Sequence, residues 1–201
     1  PNYRDIADGL VKVIDQTKPF RDLFVTYCEN LIYSDQLRGE ILSELFERLY
    51  NELHDAGGKG TYSESDFELY DYMIWEFFIC ATTVLLHYER FYELHKLLVH
   101  PYFLRSNYFN IAVEAQNYTV FCKNLRTVET ACKEKCENPR LYTLSGDILV
   151  KREKRPVLTK ASISNADIVL YQLNCLLNLP STNSWHRWFP TTYVYFEGTQ
   201  V

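Results

Sequence analysis

The sequence predicts a mainly α-helical domain, and three observations carry that prediction. Apolar residues recur at three- and four-residue spacing along most of the 201 residues. Glycine and proline number only seven each, against roughly 7% and 5% of average chains. Helix start and stop signals separate the periodic stretches. We expect one domain over residues 1–201, with about seven to nine helices and a short β element near the C-terminus. Collagen-like, disordered and turn-rich β-sandwich classes are excluded by the same composition.

Ile6, Leu10, Val13 and Ile14 define a first amphipathic helix that stops before Pro19. Pro19 suits the first turn of a second, where its missing N–H costs nothing, with Phe20, Leu23, Phe24, Tyr27 and Leu31 as its apolar face. Ser34 is placed to cap a third, carrying Leu37, Ile41, Leu42, Leu45, Leu49 and Leu53. Gly57, Gly58 and Gly60 form the only glycine cluster and mark a hinge at 57–60. Ser65 and Glu68 match the S-x-x-E capping box. The helix they open runs to about Leu86 and is apolar nearly all round, as suits a helix surrounded by others. A shorter helix from about Glu89 to Val99 completes a central pair.

Beyond Pro101 a connection leads to a helix over 118–135, a short helix from Leu144 to Glu153, and a last helix capped by Ser164. Thr192 to Phe196 is strand-like. The apolar stretch Met73–Leu86 is interrupted by Glu76 and falls short of the roughly 20 residues that span a bilayer. The six cysteines are dispersed, and Cys28 and Cys80 sit among apolar residues, so a reduced, cytoplasmic protein is expected. The chain opens on Pro1, from which we expect a piece of a longer protein.

Net charge is −5 and unevenly placed. Residues 1–100 carry nine Lys/Arg against eighteen Asp/Glu, and residues 101–201 carry twelve against eight. Lys151, Arg152, Lys154, Arg155 and Lys160 form a basic stretch. It marks either a polyanion surface or one of two complementary faces, and nucleic acid is not the favoured partner of an acidic chain. Fourteen of the 31 aromatic residues lie between Tyr62 and Phe109, many beside charges. Tyr88, Phe91 and Tyr92, with Trp185, Trp188 and Phe189 near the C-terminus, are therefore candidate contact residues for another domain or a second protomer.

Chemistry-bearing motifs are sparse. Neither GxxxxGK[ST] nor GxGxxG occurs, no cofactor signature is present, and His87, His95 and His100 lack metal-ligand spacing. Arg90-Phe91-Tyr92-Glu93-Leu94-His95 fits R-x4-H, and Arg48 through His54 fits R-x5-H. At these points the chain resembles the HEPN superfamily, all-helical domains whose ribonuclease members carry such pairs and usually dimerise. The resemblance implies a metal-independent ribonuclease with Arg90 and His95 as the working pair. The chain departs from that pattern in placing Phe91 and Leu49, rather than polar residues, after the arginines.

A second resemblance rests on Leu85–Phe91, Asn165–Tyr171 and Trp188-Phe189-Pro190 with Thr192, Val194 and Tyr195. These segments are similar to helical accessory domains attached to effector modules in large prokaryotic, defence-type proteins. That resemblance implies assembly, sensing or partner recognition without catalysis, and this is the role we expect. The R-x4-H ribonuclease is the alternative.

Overall fold

A computed structural model describes residues 3–53, 67–105, 115–135, 144–177 and 188–193. Among them are eight α-helices: α1 (Tyr3–Gln16), α2 (Lys18–Tyr33), α3 (Gly39–Leu53), α4 (Glu68–His87), α5 (Phe91–Val99), α6 (Arg126–Lys135), α7 (Leu144–Lys151) and α8 (Lys160–Leu177). A 3-10 turn covers Tyr118–Phe121, and β1 (Tyr102–Phe103) pairs antiparallel with β2 (Ala115–Gln116). The mainly α expectation holds, but the observed strands lie in mid-chain, where only a connection was expected. Thr192 and Tyr193 are not in a strand. Residues 194–196, the 57–60 hinge, Ser65, His54 and Trp185 lie outside the described residues.

α4 is the centre. Thirteen of its residues are buried, and α2, α3, α5 and α8 all pack on it. It is long and apolar enough to cross a membrane by composition alone, but 67% of that apolar window is buried inside the fold. Its rings organise the core. Phe78 lies 5.0 Å from Phe46, 5.2 Å from Phe121 and 6.0 Å from Trp188, while Phe24 of α2 stacks on Phe77 at 5.0 Å. Much of the aromatic excess is thus core. Two of its buried hydroxyls find carbonyls, Tyr102 donating to Leu97 and Tyr118 to Leu170, while the buried Tyr72 hydroxyl has no hydrogen-bond partner.

Helix ends show where short signals mislead. Ser34 does not start α3 but ends α2, its hydroxyl donating to the Asn30 carbonyl. α3 begins instead at Gly39, whose N–H donates to the Glu93 carboxylate of α5 at 2.6 Å. Asp35 and Glu89, after α2 and α4, adopt left-handed φ of 53° and 55°. At both ends the next amide reaches back, Gln36 to Leu31 and Arg90 to Leu85, at 2.8 Å. These are paired Schellman turns without the usual glycine.

Glu68 accepts from the Thr127 N–H at 2.7 Å, and Ser65, its expected capping partner, lies outside the described residues. The helix expected over 118–135 is broken at 122–125, where the Leu125 N–H is drawn to Ser145 Oγ at 2.9 Å. Ser164 lies inside α8 and donates to the Thr192 carbonyl. The cap is Thr159, which exchanges hydrogen bonds with Ser162.

Candidate functional site

Arg90 immediately precedes α5, and its guanidinium is taken up structurally. It donates to Asp35 Oδ1 at 2.7 Å and to the Ile32 carbonyl at 3.2 Å. That hydrogen bond holds the Asp35 carboxyl below its ordinary range. A cation placed against the carbonyl end of α2 complements the helix dipole. His95 is exposed on α5. Five residues of helix turn through about 140° from one side chain to the next, so the local helix alone does not bring the two together. Arg48 is exposed on α3, and its partner His54 lies outside the described residues.

The aromatic candidates divide. Phe91 and Tyr92 are exposed, with Lys96 Nζ 5.4 Å from the centre of the Tyr92 ring. Tyr88 is half-buried, hydrogen-bonded to Tyr33 and Glu29. Phe189 is exposed, but Trp188 is a correction: it is fully buried and docks back onto the helices. Its indole N–H donates to Asp167 Oδ1 at 2.7 Å, and Thr192 donates N–H and O–H to Oδ2 at 2.9 Å each. Burial raises the Asp167 pKa despite those donors.

The basic stretch is not one surface either. Lys151, Lys154 and Lys160 are exposed, but Arg155 is half-buried and Arg152 is buried. Arg155 donates to the Asp22 carbonyl, Thr26 Oγ1 and Glu29 Oε2 at 2.7–2.9 Å. Those acceptors lie on one side of α2 at four- and three-residue steps. The charge asymmetry is, in this part, complementarity within one molecule.

Arg152 enters a buried cluster that sequence reasoning missed. Its Nη2 donates to Thr17 Oγ1 at 3.0 Å, and its Nη1 lies 3.2 Å from Glu76 Oε2. Arg21 of α2 faces the other carboxylate oxygen at 3.7 Å, pairs with Asp22 at 2.6 Å, and donates to the Arg152 carbonyl. Arg21 and Glu76 are wholly buried, and burial pushes the Glu76 carboxyl up to about 7 against the opposing pull of both guanidiniums. A signal existed: a glutamate inside an otherwise apolar helix implies a buried cationic partner. Nothing in the sequence says which arginine.

Beside this cluster, α1, α6 and α7 enclose a cavity of about 440 Å³. Val11, Val128, Ala131, Leu144 and Ile148 form its apolar wall, and Asp15, Lys151 and Arg152 contribute charge. That volume lies within the roughly 300–1,000 Å³ of small-molecule sites. No group of three or more metal-ligating side chains occurs among the described residues. Cys28 and Cys80 are buried thiols whose pKa values burial raises, Cys28 to about 12, which makes them poor nucleophiles.

The chain matches no protein-family model, no curated protein and no solved structure.

Proposed function

We propose that this domain is a non-catalytic interaction module that buries an apolar flank of α2 against a second copy of the chain. The observation that carries this reading is the exposure of Phe20, Leu23 and Tyr27, at 63%, 67% and 51%. Their spacing of three and four puts them on one side of α2. The helix already buries Arg21, Val25, Cys28 and Ile32 on another side, so this flank is surplus to the core. Clustered exposed apolar side chains of this kind mark contact surfaces.

The commitment of Arg90 to Asp35 and Ile32 favours this reading over the R-x4-H ribonuclease. Sedimentation of the full chain tests it. Wild type should associate as concentration rises, and the triple variant Phe20→Ser, Leu23→Ser, Tyr27→Ser should stay monomeric with unchanged helicity. A wild type that is monomeric throughout overturns the proposal. Incubation with RNA tests the alternative: specific cleavage lost in His95→Ala would replace the interaction reading with an enzymatic one.

A further inference from the structure

We propose that the buried polar side of α8 is a recognition site for a short peptide carrying Trp at its first position and Thr at its fifth. In the folded chain that site is filled in cis by residues 188–193. Ser164, Asp167 and Asn174 are all buried on α8, and at roughly 100° per residue they stand within about 80° of one another. Asn174 Oδ1 accepts the Trp188 N–H at 3.0 Å. Asp167 takes the indole N–H of Trp188 and both donors of Thr192, and Ser164 donates to the Thr192 carbonyl at 3.0 Å. The segment therefore runs along α8 in the opposite direction to the helix.

The contacts are those of a ligand rather than of a regular element. Side chains meet the backbone polar groups of the segment: Asn174 and Asp167 at two amides, Ser164 at a carbonyl, and Cys122 Sγ at the Phe189 N–H, 3.4 Å away. Pro190 has no N–H to satisfy. Regular elements pair backbone with backbone instead. Gly146 of α7 leaves room for the peptide, since a Cβ there would overlap the Thr191 carbonyl oxygen. Phe189 and Tyr193 are exposed, so selectivity rests on the buried Trp188 and Thr192. The walls hold together without the segment. Phe78 and Tyr118 are stacked at 6.1 Å, and the Tyr118 hydroxyl ties that ring to the Leu170 carbonyl. Withdrawal of the segment deprives the buried Asp167 carboxylate of three donors, a cost that a second peptide with an indole N–H and a threonine offsets. Ten residues, 178–187, tether the segment to α8, and a short tether sets a roughly millimolar effective concentration. An outside peptide must compete with that tether. No residue of the α2 flank takes part, so either proposal can fail alone.

Binding of a fluorescent peptide with the sequence of residues 186–195 to the full chain is the test. Trp188→Ala loosens the tethered segment and exposes the site. This variant should bind the peptide saturably and at least about tenfold more tightly than wild type does. The same peptide with alanine in place of the tryptophan should bind at least about tenfold more weakly, the loss expected for a large buried ring and its charge-assisted hydrogen bond. Absence of saturable binding to Trp188→Ala overturns the proposal. So does equal binding of the alanine peptide. If Trp188→Ala does not fold, hydrogen exchange of the wild type decides. A segment that opens on its own should leave the Trp188 indole N–H and the Thr192 amide at least about tenfold less protected than the Leu170 amide. Equal protection means that the segment opens only with the whole molecule, and overturns the proposal.

Discussion

Glu89 illustrates how much a single backbone conformation matters in this chain. Its φ of 55° lies in the left-handed region, where an L-residue with a Cβ is disfavoured. The side chain is exposed, so the strain comes from the turn and has no visible local return. Glu89→Gly should raise stability by about 0.5–1 kcal/mol, the left-handed penalty less the extra entropy glycine brings to the unfolded chain. Urea midpoints of the two proteins check this. Asp35 shares the conformation but is a poorer target, because its carboxylate receives Arg90. At this scale the sequence is least legible. Arg90 and Asp35 are 55 positions apart, and nothing local announces that the arginine closes the end of another helix. The same holds for Glu68, which accepts from the Thr127 amide 59 positions away. Short motifs report local options, and long-range partners decide among them.

At the scale of elements, close approach between α3 and α5 depends on Gly39. A Cβ there would overlap the Glu93 carbonyl oxygen and crowd the Lys96 side chain. The N–H of the same residue donates to the Glu93 carboxylate. Gly39→Ala should therefore cost about 1–3 kcal/mol, as overpacking against backbone does, although alanine is the better helix former. Thermal unfolding monitored by circular dichroism measures it, and an unchanged or raised midpoint would show that α3 and α5 can separate freely. The existence of α1, α2 and α4 was readable from their apolar content, but the buried face of α2 was not. Phe20, Leu23 and Tyr27, expected to pack, are exposed, and Arg21, Val25, Cys28 and Ile32 are what the helix buries. Breaks and joins were not readable either. The chain stops being helical at 122–125 because Ser145 claims the Leu125 amide, and Trp188 turns inward because Asp167 offers it an acceptor. Both causes sit on other elements.

Across the whole molecule, the Arg21–Glu76–Arg152 cluster joins α2, α4 and the end of α7 around a carboxylate that no solvent reaches. Neither oxygen of Glu76 accepts a hydrogen bond within the protein, and burial outweighs the two guanidiniums in setting its pKa near 7. The folded state thus holds a proton on Glu76 that the unfolded chain, with an ordinary value of 4.5, has already released. Between those two pH values the native state binds more protons than the unfolded one, so stability falls as pH rises through the window. Each tenfold change in proton affinity between the two states corresponds to about 1.4 kcal/mol, so the effect is of the order of a few kcal/mol. Asp35 and Glu40, whose pKa values are lowered, act in the opposite sense but only at more acidic pH. Asp167 is raised and shares the sign of Glu76, so the decisive quantity is a difference between two proteins. Denaturant unfolding of wild type and Glu76→Gln at pH 5 and pH 7.5 supplies it. Glutamine cannot titrate, so the variant should lose less stability than wild type between the two conditions, whatever its absolute stability. Equal losses would mean that the two arginines keep Glu76 ionised throughout, and that the cluster is an ordinary buried ion pair.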